Sequence, residues 1–178
     1  MLIDSQNQFS DQQAVTATGA TASTNTIDLG SSRDIGSAAV DRLALLCQVA
    51  VAFASGGAAT LQVQVQTAPD NGAGAPGSWT TLAQSDAVPV ASLVQGWRFL
   101  PGGLPGGTLR FLRLNYVVGT AAMTAGKLTA GLVPASTHAW LIDPVSTYSA
   151  PSVNAAATDS GAPMPPAAPT ATRIPRVA

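Results

Sequence analysis

The chain has 178 residues, 46% of them hydrophobic, enough to bury one respectable core and to favour a single domain. Only 10% of its residues are charged, against about 25% in an ordinary soluble domain, with Ala, Thr, Ser, Gln and Gly taking their place. The formal net charge of −1 and the scattered arginines supply no field for a phosphate backbone, so nucleic acid is not expected as a direct partner.

The first residues, Met1-Leu2-Ile3-Asp4-Ser5, lack both a basic region and an apolar stretch, so no secretory signal is expected. No segment nears the roughly 20 apolar residues that cross a bilayer, and no membrane partner is expected. Residues 1–25 are polar and rich in Ala and Thr, with Leu2, Ile3 and Phe9 spaced among them as candidate anchors. This stretch reads as an N-terminal docking arm. A short strand is predicted at 26–29, and the one stretch with helical character is 37–42.

From 43 to 53 the apolar residues Leu43, Leu45, Cys47, Val49, Val51 and Phe53 take every second position, the period of a strand. Ala44, Gln48, Ala50 and Ala52 fall between them, and so much alanine on the second face predicts that it too is partly covered. Cys47 is the lone cysteine, which rules out an internal disulfide and reads as a small buried core residue. Leu61-Gln62-Val63-Gln64-Val65-Gln66 is the clearest half-buried strand, aliphatics one way and amides the other. Pro69-Asp70-Asn71-Gly72 supplies the chemistry of a reversal.

Further strands are predicted at 79–84, 88–93, 97–100, 108–118 and 127–133. Leu109 and Phe111 share one parity while Leu112, Leu114, Tyr116 and Val118 share the other, which fits either a bulge near 111–112 or a strand buried on both sides. Short strands divided by Gly and Pro turns predict an all-β fold. The expectation is a jelly-roll-like antiparallel β-sandwich at 26–134 with extended N- and C-terminal arms at 1–25 and 135–178.

Little in the sequence supports catalysis. His138 is the sole histidine, and no Gly-x-Ser-x-Gly elbow exists to pair with it. One histidine and one cysteine cannot furnish the ligand set of a cupin-type metal site, and Asp70 has no second carboxylate beside it for calcium. The 101–107 loop, Pro-Gly-Gly-Leu-Pro-Gly-Gly, is not followed by the Lys-Ser/Thr of a phosphate cradle. No catalytic residue, cofactor or metal is therefore expected. Trp79 and Trp97 read as core or sheet-edge packing residues, with a sugar-stacking role as the competing reading.

Past residue 134 the chain becomes rich in Ala, Pro, Ser and Thr. Fixing a residue's backbone costs about 1–2 kcal/mol, and such a segment has little apolar area to offset it. Trp140, Leu141, Ile142 and Tyr148 stand out as anchors into another chain, and the prolines that follow favour extended conformations.

The N-terminal run Leu2-Ile3-Asp4-Ser5-Gln6-Asn7, Phe9-Ser10-Asp11 and Gln13-Ala14-Val15-Thr16-Ala17-Thr18, followed by Ser23-Thr24-Asn25 and Ile27-Asp28-Leu29-Gly30, resembles the cement proteins of short-tailed phages such as the Bordetella phage. Gln66-Thr67-Ala68-Pro69-Asp70, then Trp79 and Leu82, then Leu109-Arg110-Phe111-Leu112-Arg113-Leu114-Asn115-Tyr116 continue the likeness over about the first three quarters of the chain. The resemblance implies a jelly-roll protein on the outside of an icosahedral shell. It implies the major capsid protein as partner, with self-association as a homodimer, or alternatively a trimer, across local twofold positions. The implied location is the exterior of the virion capsid, after synthesis in the host cytoplasm. The competing expectation is a carbohydrate-binding or host-recognition module of a virion.

Overall fold

The computed structural model describes residues 3–36, 43–100 and 102–134, without the side chains of 102 and 103. Leu2, Trp140, Leu141, Ile142, Tyr148, His138 and the stretch 37–42 lie outside the described residues. Of two units, Met1–Asp143 and Pro144–Ala178, the first contains all that follows.

Among the described residues the strands are β1 (Gln8–Ala14), β2 (Gly19–Ala22), β3 (Ile27–Asp28), β4 (Leu43–Ala54), β5 (Thr60–Ala68), β6 (Thr80–Gln84), β7 (Val88–Pro89), β8 (Gly102–Gly103), β9 (Phe111–Gly119) and β10 (Ala125–Pro134). Their antiparallel pairings nest like a long hairpin: β1 with β10, β2 with β9, β4 with β8, β5 with β6. Two further pairings, β10 with β4 and β9 with β5, roll that hairpin into the sheets β1-β10-β4-β8 and β2-β9-β5-β6. β3 adds to β9 and β7 to β5. A nested hairpin rolled into two sheets is a jelly roll, so the all-β sandwich is as the alternation predicts.

The core follows from period two. Leu45, Cys47 and Val49 of β4 and Leu128, Ala130 and Leu132 of β10 meet Leu61, Val63 and Val65 of β5 and Leu112, Leu114, Tyr116 and Val118 of β9 in one buried cluster. Each buried Leu or Val contributes about 1.5–3 kcal/mol, and a one-residue slip would turn a whole strand's set to solvent, so the alternation fixes register. At the β5 end, the turn closes as predicted, with the Asp70 carboxylate accepting from Gly72 N and Gly74 N, both at 2.9 Å.

Three expectations are corrected. Residues 8–22 are not an arm: β1 and β2 each complete a sheet, and Phe9 is 0% exposed in the core. The 97–100 segment is no strand. It makes a single bridge, Arg98 to Gln48, before Leu100 takes a left-handed φ of 47° and turns the chain. Residues 88–93 form only the two-residue β7 before Val90–Ser92 winds into a 3-10 turn, since Pro89 has no N–H to continue a ladder. Of the two readings of 108–118, the register between β5 and β9 runs unbroken from Thr60↔Gly119 to Ala68↔Phe111. Phe111 and Leu112 are both buried, so this strand end is covered on both sides without a bulge there.

Candidate functional site

The N-terminal residues build the first surface. Asp4 caps the short 3-10 turn Ser5–Asn7 by accepting from Gln6 N at 3.2 Å. This turn and Ile3 cross the outer face of the β1-β10-β4-β8 sheet, where Ile3 packs on Ala44, Leu46 and Val133. The crossing needs Gly131, because a Cβ there would lie 2.8 Å from both the Asn7 carbonyl oxygen and Ile3 Cγ2. The alanine-rich second face of β4 is thus covered at its start by the chain's own N-terminal residues. Ile3, expected as an anchor into another chain, is half-buried against its own sheet.

β1 is tied down by polar groups as much as by Phe9. The buried Ser10 hydroxyl donates to Gln13 Oε1 at 2.7 Å and so accepts from the Tyr116 hydroxyl at 2.7 Å. Gln13 Oε1 also accepts from Thr24 N at 2.9 Å, and Gln13 Nε2 donates to the Ala22 carbonyl at 2.8 Å. Burial raises the Tyr116 phenol well above its ordinary value, and the neighbouring Cys47 adds to the rise while the Ser10 bond opposes it. Burial pushes the Cys47 thiol up to about 12, which keeps it protonated and inert.

The outer face of the second sheet carries an amide ladder. Gln64 Oε1 accepts from Asn115 Nδ2 at 2.9 Å and Gln66 Nε2 at 3.4 Å, and Gln66 Oε1 accepts from Arg113 Nε at 2.9 Å. The Arg113 guanidinium also sits 4.1 Å from the centre of the Trp79 ring. One face of Trp79 is therefore occupied by the chain itself. At the end of this sheet Arg110 bridges two carboxylates: Nε and Nη2 bond the Asp28 oxygens, both at 2.9 Å, and Nη1 bonds Asp70 Oδ2. The Arg110 bond, with help from Gly30 N, lowers Asp28 below the usual carboxylate range. At Asp70 desolvation pushes upward but is outweighed by the Gly72 and Gly74 N–H bonds and by Arg110, so it too is lowered.

A different surface runs along the side of β4 away from β10. β8 pairs only with Ala44 and Leu45. Beyond it, residues 93–99 serve as an irregular neighbour: Phe99 N donates to Cys47 O at 2.9 Å, Val49 N to Trp97 O at 2.8 Å, and Phe53 N to Leu93 O at 2.9 Å. The exposed large hydrophobics among the described residues all lie here: Val51 at 43%, Val94 at 56% and Trp97 at 38%. Arg98 stands opposite Gln48, with its buried Nε and Nη1 making no hydrogen bond among the described residues. A shallow depression of about 280 Å³ opens beside them, lined by Ile3, Leu46, Gln48, Ala50, Gln95 and Thr129.

Alternation places Val51 inside. Instead, it turns outward where the register between β4 and β10 shifts on both sides of Lys127↔Val51. Val94 and Arg98 carry no local signal in the sequence: Val94 falls just past the predicted strand 88–93, and Arg98 lies within the predicted strand 97–100.

Among the described residues, no cluster of His, Cys, Asp and Glu could hold a metal ion, and no helix is long and apolar enough to cross a membrane. Among curated proteins none matches the chain. The sequence model of the Bbp16 family matches residues 9–132, a span that begins at the buried Phe9 of β1 and ends in β10, and so takes in both sheets of the jelly roll. The chain belongs to the Bbp16 family, named after a Bordetella phage protein.

Proposed function

We propose that the chain is a structural protein of a phage virion, without enzymatic activity, that binds the outside of the assembled head and clamps neighbouring major capsid subunits. The observation that carries this reading is the family match across the entire sandwich. The composition supports it: with so few charges, the surface has little self-repulsion to keep it free in solution and is suited to lying against other protein. Binding only the assembled shell would stabilise that shell by mass action. In this reading the jelly roll is the rigid block, self-associated as a homodimer or trimer. Leu2 at one end and Trp140, Leu141, Ile142 and Tyr148 at the other reach adjacent subunits.

The test is to strip the protein from particles and heat them. Shells without it should open at lower temperature and regain their stability when the purified chain is added back; unchanged shell stability would refute the clamp. The competing reading, glycan recognition through Trp79 or Trp97, gains no support at Trp79, where the Arg113 guanidinium occupies one ring face.

A further inference from the structure

The side of β4 that residues 93–99 line combines two features that a self-contained sandwich has no use for. The first is apolar. Val51, Val94 and Trp97 are 43%, 56% and 38% exposed, and all belong to β4 or to the segment hydrogen-bonded along it. Large exposed hydrophobics gathered at one edge mark an interaction surface. The second is electrostatic. Arg110 is held by Asp28 and Asp70, and Arg113 by Gln66 and the Trp79 ring. Arg98 by contrast has two buried guanidinium nitrogens, Nε and Nη1, with no hydrogen-bond partner among the described residues.

A partly desolvated cation attracts a carboxylate far more strongly than a fully hydrated one does, and the pair is charge-assisted. The apolar neighbours add the aromatic and arginine anchors around which binding energy concentrates. The depression lined by Leu46, Ala50 and Gln95 is continuous with this edge through Gln48 and its bridge to Arg98. It is shallow and suits side chains of an extended segment better than an enclosed small molecule.

We infer that the β4 edge, through Trp97, Val94, Val51 and Arg98, is the docking surface for a segment of another protein that presents a carboxylate between apolar side chains. This rests on the cement reading, in which that segment belongs to the shell. The opposite sheet, whose amides bond one another, stays outward.

The experiment measures binding of the full chain to heads prepared without it, by co-sedimentation across a range of concentration and salt. Wild type is compared with Trp97→Ala, Val94→Asp and Arg98→Gln, with Gln84→Ala on the other sheet as control. Thermal melts of each free protein check folding, which the exposed Trp97 and Val94 positions should preserve and which the melt must establish separately for the half-buried Arg98. Trp97→Ala and Val94→Asp should each weaken binding about ten-fold or more. Arg98→Gln should weaken it at low salt and flatten its salt dependence, while Gln84→Ala binds as wild type does. If wild type binds and the three edge variants bind equally well, the edge is not the docking surface, and the cement reading stands. Should Arg98→Gln retain the wild-type salt slope, the carboxylate is overturned. Failure of wild type itself to bind would overturn the cement reading and this surface together.

Discussion

Phe9→Ala separates a fold-forming β1 from a docking arm. The ring is 0% exposed and packs in the main core, and β1 pairs with β10 at Gln8↔Gly131 and Ser10↔Ala130 on either side of it. Truncating a buried phenylalanine costs about 3–5 kcal/mol. For a chain of this size each kcal/mol lowers the melting temperature by about 2–4 °C, so a drop of roughly 10 °C is expected. The assay is a thermal melt of the purified protein followed by near-ultraviolet circular dichroism, with Ile3→Ala as comparison. Ile3 is half-buried on the outer face of the sheet, so its truncation should cost distinctly less. A Phe9→Ala protein that melts like wild type but binds its partner weakly would refute the placement of β1 in the core and restore the arm.

Gly131→Ala should displace residues 3–7 from the sheet while leaving the sandwich intact, because the added Cβ meets Asn7 O and Ile3 Cγ2 at 2.8 Å; faster amide exchange confined to Asn7 and its neighbours would show it. Tyr116→Phe removes the phenol that donates to Ser10, at a cost of about 0.5–1.5 kcal/mol, measurable by urea denaturation. Asp28 and Asp70 have lowered folded-state values, so their contribution is present above the unfolded carboxylate value of about 4 and is lost as pH falls below it through the folded values. Replacing both by Asn should flatten the acid limb of the stability profile below about pH 4. Cys47, with its thiol raised to about 12 and fully buried, should react with a thiol reagent at neutral pH only as fast as the protein opens, and immediately in denaturant.

What the sequence reveals depends on whether a strand announces itself by alternation. Gln62, Gln64 and Gln66 read directly as the outer face of β5, and the amide ladder they form with Asn115 and Arg113 extends that pattern across strands. β1 was hidden because it is secured by few apolar residues. Phe9 is buried, but Ser10 and Gln13 hold their places by hydrogen bonds to Tyr116 and to β2, and a polar network has no hydrophobic period to detect. The 97–100 stretch failed the other way: Trp97 and Phe99 alternate as strand residues do, yet Leu100 turns the backbone. Val51 has the parity of the core, and only the shifted register with β10 moves it to the surface. The exposure of Val51 was therefore out of reach of local patterns, because it exists where two strands fall out of step.

The central claim is that this jelly roll recognises an assembled head. The most direct measurement sediments the purified chain with assembled heads lacking it and, separately, with unassembled major capsid subunits. The account predicts saturable binding to the heads, a higher temperature of head opening in proportion to occupancy, and little binding to free subunits. Equal binding to free subunits, or none to the heads, would contradict it.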